Sequence, residues 1–282
     1  IFWNNTTGGN GGGLYLSYEN NTTVERCVFA DNSADSMGDG LFIGYEQTEP
    51  KLSDCIFSNH KGEAVLVGYE GGVIIERTVF AGNPGGAIDT YSEAVVAVEN
   101  SLFVGNVNGY AGAFENNGES SATLRNNTFY MNSLDSGSTI SSFNTASTRL
   151  VNNIIEGGAL LEILKEGERD LFIEYNLIDN WESVGTGNIN GTASFVESPS
   201  VGDGWDSVVF DEETYRTTLS DSSLNLTLHG IVGTFVLPSP NNNQWYYIVE
   251  NTETSVTIWG DISEFVAEGD LYVFKDLHLA KD

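Results

Sequence analysis

Positive charge is scarce in this chain: its 282 residues hold 11 Lys plus Arg against 40 Asp plus Glu, a formal net charge of −29. Such a field repels phosphate backbones and anionic headgroups. Without bridging cations it excludes nucleic acid and membrane surfaces as partners, while cations, basic partners and neutral glycans are compatible with it. No apolar run approaches the roughly 18 residues of a spanning helix, so no direct membrane insertion is expected. The two cysteines, Cys27 and Cys55, are too few for a disulfide scaffold, and there is no Cys-x-x-Cys. His60, His229 and His278 stand far apart, without zinc-like spacing. A Gly-x-Ser-x-Gly elbow, a His-Glu-x-x-His pair and a Gly-Lys-Ser/Thr phosphate loop are all missing. The first residues, Ile1-Phe2-Trp3, include neither Met nor a basic segment, so the chain is expected to begin inside a longer precursor.

What is present describes a folded protein: 40% hydrophobic and 11% aromatic residues can bury a sizeable core. One short phrase recurs, with its second residue at Phe2, Phe29, Phe57, Phe80, Phe103, Phe129, Ile155 and Ile178, in steps of 27, 28, 23, 23, 26, 26 and 23 residues. Five residues before each later anchor stand Val24, Leu52, Ile75, Val98, Leu124, Leu150 and Ile173, all aliphatic. Three residues after the anchors stand Asn5, Asn32, Asn83, Asn106 and Asn132, with His60, Gly158 and Trp181 filling the remaining places. A second short strand follows in each early repeat, as in Gly40-Leu41-Phe42-Ile43-Gly44-Tyr45. Short strands, turn residues and a period of 20 to 30 residues make each repeat one coil of a solenoid. The expected fold is all-β: a right-handed parallel β-helix of about eight coils over residues 1–198, then a small antiparallel β module or cap over 199–282. In the latter the repeat gives way to Trp/Tyr-rich strands such as 244–249 and 255–259.

The phrases Asn-Asn-Thr-Phe at 126–129, Gly-Gly-Ala-Ile at 85–88 and Gly-Thr-Gly-Asn-Ile-Asn at 185–190 resemble the right-handed parallel β-helix repeat proteins of the pectate-lyase-like superfamily. Residues 233–279 look like the tail of secreted bacterial surface proteins of that type. The resemblance implies a secreted or cell-surface location. It does not fix the function, because that superfamily holds lyases, hydrolases, epimerases, tailspikes and non-enzymatic surface proteins. The polygalacturonase-type Asn-Thr-Asp, Asp-Asp and Gly-His-Gly set is missing, so no catalytic role carries over.

Several columns of the repeat are candidates for chemistry. Cys27, Cys55, Thr78, Ser101, Asn127, Asn153 and Asn176 form a column of small polar groups expected to point inward. Its two cysteines are then neighbours, as a buried thiol stack or as a disulfide or metal site. Arg26, Asp54 and Arg77 are expected as an outward ladder with the acid between two guanidinium groups. That ladder is either a surface ion-pair network or, if the protein is a lyase, its catalytic set. Tyr18-Glu19, Tyr45-Glu46 and Tyr69-Glu70 recur at one position, an aromatic strip that suits a glycan with carboxylates that suit Ca²⁺, or else a solvated acidic turn. Asp31, Asp35 and Asp39 share one Gly-containing loop that offers oxygen ligands to Ca²⁺. It departs from the EF-hand at Ser36 and Phe42, and a polar turn is the competing reading. Val28, Ile56, Val79, Leu102, Ile154 and Leu177 precede the anchors, and strand alternation sends them outward as an apolar stripe unless a bend turns them partly in.

The sequence therefore favours a non-enzymatic structural or adhesive protein acting through its β-helix faces, with self-association, other surface proteins or a glycan as partners and no cofactor beyond a Ca²⁺ ion. The alternative is a polysaccharide lyase or glycoside hydrolase, with Arg26, Arg77, Asp54 and Asp31 as first candidates. Inter-strand loops mostly under about 12 residues give little wall for a cleft, which favours binding.

Overall fold

The computed structural model describes residues 1–45, 48–133, 137–157, 161–167, 170–181, 185–196, 204–241 and 244–280. Among them the regular elements are all strands. Two compact units emerge, Ile1–Ala193 and Ser194–Asp282. The boundary falls five residues before the expected 198/199 division, because Phe195 bridges to Leu279 and the Val196 amide donates to the His278 carbonyl, which ties 195 and 196 to the second unit.

The first unit is a parallel β-solenoid with three walls. The anchor wall has nine strands, beginning Phe2–Trp3, Val28–Ala30, Ile56–Ser58 and Val79–Ala81. The second and third walls have seven each, the former beginning Leu14–Ser17, Leu41–Gly44 and Val65–Gly68, the latter Thr23–Glu25, Lys51–Ser53 and Gly72–Glu76. Seven coils thus carry all three walls, separated by six rises, against the eight expected. The eighth anchor, Leu177–Ile178, extends the anchor wall, Ile189–Asn190 follows it there, and the third wall gains a single bridge from Glu174 to Thr186.

The register explains the repeat. Phe2, Phe29, Phe57, Phe80, Phe103 and Phe129 lie opposite one another from coil to coil, and Ile155 and Ile178 continue the row. The rings stack with centroids 4.5 to 5.1 Å apart, and from Phe29 to Phe129 the column is fully buried. The coil spacing of about 4.8 Å is itself a favourable stacking distance, so one geometry satisfies both the backbone ladder and the rings. Val24, Leu52, Ile75, Val98, Leu124, Leu150 and Ile173 form the facing aliphatic column, each registered on the next. Each fully buried Phe or aliphatic side chain contributes about 1.5–3 kcal/mol relative to exposure, so these columns dominate the stability of the unit.

Two polar ladders close the corners beside the anchor wall. In the first, Asn106 Nδ2 donates to the Phe80 carbonyl at 3.0 Å, while its Oδ1 accepts from Asn83 N at 3.2 Å and Asn83 Nδ2 at 2.7 Å. The same pattern runs through Asn5, Asn32, Asn83 and Asn132, with His60 as one rung. The asparagine amide offers both a donor and an acceptor at this reach, as the two ring nitrogens of His60 do, which is why asparagine recurs. In the second, the amides of Cys55, Thr78, Ser101, Asn127 and Asn153 donate to the side chains of Thr78, Ser101, Asn127, Asn153 and Asn176. Directly before this ladder every coil turns through one left-handed residue: Arg26, Asp54, Arg77, Asn100, Asn126, Asn152 and Tyr175 all have φ between 47° and 58°.

The second unit holds a four-stranded antiparallel sheet (Ser207–Asp211, Arg216–Ser220, Ser255–Trp259, Glu250–Asn251) and a three-stranded one (Tyr246–Tyr247, Phe235–Leu237, Val273–Lys275). Trp205 stacks on Tyr272 at 3.8 Å in its core, and Tyr272 Oη donates to the Asp221 carboxylate at 2.6 Å.

Candidate functional site

The outer surface of the second wall departs most from what folding alone requires. Its central outward column reads Tyr15, Phe42, Leu66, Asp89, Glu115, Ser141, in coil order. The inward column beside it reads Leu16, Ile43, Val67, Thr90, Asn116, Ser142. Both columns change character at the fourth coil, where aromatic and aliphatic residues give way to carboxylates outside and to amides and hydroxyls inside. The inner change is hydrogen-bonded throughout: Thr90 Oγ1 donates to Asn116 Oδ1 at 2.7 Å, Asn116 Nδ2 to Thr148 Oγ1 at 2.8 Å, and Thr148 Oγ1 to Ser142 Oγ at 3.0 Å. A satisfied buried network of this kind fixes the backbone beneath the carboxylates.

In the first coils the surface is a tyrosine strip. Tyr18 stacks on Tyr45 at 5.2 Å and Tyr45 on Tyr69 at 4.7 Å, with interplanar angles of 14° and 6°. All three have positive φ, so each ring leaves a sharp corner between the second and third walls. Tyr91 ends the strip edge-on to Tyr69 at 5.0 Å. Its ring lies over Gly68, where an added Cβ would stand 2.6 Å from it. Burial and the hydrogen bond with Tyr69 hold the Tyr91 hydroxyl well above the ordinary phenol range. Tyr18, Tyr45, Tyr69, Glu70, Ser92 and Glu93 line an open groove of about 370 Å³. Of the expected ligand-binding residues, Tyr18, Tyr45, Tyr69 and Glu70 meet there. Glu19 adjoins Tyr18 at a left-handed position, and Glu46 lies outside the described residues.

In the later coils the surface is acidic. Glu115 lines a second groove of about 330 Å³ with Tyr110, Asn117, Phe143, Asn144 and Glu166. Tyr110 and Phe143 meet edge to face at 5.9 Å, and Tyr110 is 65% exposed. Asp89 lies opposite Glu115 on the adjacent strand. Burial, reinforced by Glu115 and Glu63, pushes the Asp89 carboxyl well above the usual range; burial and Glu63 raise that of Glu115. The sequence did not single out this pair.

The remaining candidates are placed as follows. Arg77 grips Asp54 through Nε and Nη2, both at 2.8 Å, and reaches Glu76 at 3.0 Å. Arg26 pairs instead with Glu25 of its own coil at 3.6 Å, so the acid is not clasped between two guanidinium groups as expected. Among the described residues the other third-wall cations are also paired, Lys51 with Glu76, Arg125 with Glu99 and Arg149 with Glu174. A base must surrender its proton, whereas two carboxylates stabilise the protonated Arg77 further. Asp31, Asp35 and Asp39 do not converge. Asp39 is buried and takes the amides of Ala34 and Gly62, Asp31 accepts from Asn59, and among the described residues no three His, Cys, Asp or Glu side chains form a metal-ligand group. Cys27 and Cys55 are free thiols, and burial pushes Cys55 up to about 11. The stripe of Val28, Ile56, Leu102, Ile154 and Leu177 is half-buried and Val79 buried, because each is flanked by its counterparts on adjacent coils.

A family model described as "Right handed beta helix region" matches residues 1–80 and 40–201, which together span well over half the chain. No curated protein and no solved structure matches it.

Proposed function

We propose, for a chain that belongs to the right-handed β-helix family, that the second wall is a glycan-binding face and that the protein serves as an adhesive or structural element outside the cell or at its surface. The observation that carries this reading is the stack of Tyr18, Tyr45 and Tyr69 along an open groove. A folded chain gains little from a tyrosine left 65% exposed, as Tyr18 is, at a strained left-handed corner. The apolar face of a sugar ring gains a flat partner from it. Rings repeating at the coil spacing match an extended polymer better than a single small molecule. Binding is favoured over cleavage because the described third-wall cations are held in ion pairs, which leaves lyase chemistry without a free base among the described residues of that wall.

The test is calorimetric titration with a panel of neutral, cationic and uronic oligosaccharides, comparing the wild type with the Tyr18→Ala, Tyr45→Ala, Tyr69→Ala triple variant, whose fold is checked by circular dichroism. Removing three stacking platforms at about 0.5–1.5 kcal/mol each should weaken binding at least ten-fold. Unchanged affinity in a folded triple variant would refute the assignment.

A further inference from the structure

The acidic half of the second wall points to what kind of sugar this face selects. We infer that Asp89 and Glu115 form a subsite for a positively charged amino group on the bound glycan, so that the protein prefers amino-sugar polymers to neutral or uronic ones. This rests on the proposed glycan-binding role of the same wall.

Two orphaned polar atoms flank Glu115 along its column. Asp89 Oδ1 on one side and Ser141 Oγ on the other are shielded from solvent and make no hydrogen bond among the described residues. A buried oxygen without a donor costs about 1–3 kcal/mol, and here two such oxygens bracket a carboxylate that lines an open groove. An ammonium group brings three donors and a positive charge, the complement of an acidic site that is short of donors. Tyr110 and Phe143 stand in the same groove as walls for the sugar ring itself. The carboxyls are held above their usual range because Asp89, Glu115 and Glu63 face one another in a partly dry site, and a cation would relieve that repulsion. The carboxylates around this site, Glu63, Glu115 and Glu166, outnumber the one cation of the adjoining strand, Lys165, and with a chain charge of −29 a uronate polymer is repelled.

The experiment measures binding of glucosamine, N-acetylglucosamine and galacturonic acid oligomers of equal length, with oligolysine as a control, at neutral pH, where a fraction of the glucosamine amines is charged and the raised carboxyls ionise more readily than in acid. The proteins are the wild type, an Asp89→Asn, Glu115→Gln double variant of unchanged shape, and the tyrosine triple variant. The expected result is a preference of about ten-fold or more for glucosamine over N-acetylglucosamine in the wild type, lost in the double variant while weaker binding of both oligomers persists. Equal affinity for the two oligomers, or a preference that survives the double substitution, overturns the inference. Oligolysine held as tightly as the glucosamine oligomer overturns the assignment to a sugar. If the double variant loses selectivity but the tyrosine variant binds normally, the stacking role fails and the acidic subsite stands; if neither oligomer binds the wild type, both fail.

Discussion

Replacing His60 by asparagine should make the solenoid less sensitive to acid. His60 is the one imidazole in a ladder of amides, and its surroundings dictate its protonation. Nε2 lies 3.3 Å from the amide nitrogen of Asn32, which can only donate, so Nε2 must accept. Nδ1 lies 2.9 Å from Asn83 Oδ1, which can only accept, so Nδ1 carries the proton. The cationic ring would aim a second N–H at a donor in a fully buried site. Burial accordingly depresses the pKa from 6.5 to about 4, with the Asn83 bond opposing the shift. The unfolded chain therefore takes up the proton first: the stability contribution is complete above about pH 6.5 and drains away as pH falls toward 4. At about pH 4.5 the linkage relation gives a loss of about 2.5 kcal/mol relative to neutral pH. Asparagine fits the ladder and does not titrate. The assay is urea unfolding of wild type and His60→Asn across this pH range, read as the difference between the two midpoints. Carboxylate titration acts on both proteins and cancels. At neutral pH the variant carries a packing deficit, because a smaller side chain beside Gly40 leaves space, and the gap should move in its favour by about 2.5 kcal/mol on acidification. Curves that fall in parallel would refute the tautomer argument.

Two further substitutions separate the core from the surface. Phe80→Ala removes the ring between Phe57 and Phe103, stacked at 5.1 and 4.8 Å, and should cost about 3–5 kcal/mol in denaturant unfolding, whereas an effect below about 1 kcal/mol would mean the column is not close-packed. Arg77→Ala breaks the bidentate pair with Asp54, yet the pair is solvent-exposed, so the unfolding midpoint should barely move and any small difference should shrink as salt is added. A large salt-independent loss would show that the third-wall ion pairs hold the coils together.

The fold was legible in the sequence because its core positions obey a single rule. Every anchor Phe, every aliphatic residue five places earlier and most of the asparagines three places later occupy columns whose neighbours are their own counterparts, so periodicity alone locates them. The tyrosine strip was legible for the same reason. Asp89 and Glu115 were not, because coil lengths vary between 23 and 28 and their pairing depends on where the extra residues loop out, before or after the second wall. Among 40 acids, only registration of the strands shows which two share a column. The partner of Arg26 escaped for a different reason: a long flexible side chain at a corner can reach along its own coil as readily as across to the next, and backbone spacing does not decide which.

The asparagine ladders also bear on how such a chain finds its fold. Nearly every contact that defines the solenoid joins residues separated by one coil, 23 to 28 positions apart, as in Asn83 to Asn106 or Val28 to Ile56. The loop-closure entropy of each step is that of a single coil, and it does not grow as coils accumulate. A completed coil presents amide donors and acceptors already fixed at the corners, so the next one docks onto a template and needs no separate nucleus. Folding in this unit is thus a relay of similar local events whose difficulty is set by the length of one coil rather than of the whole rod.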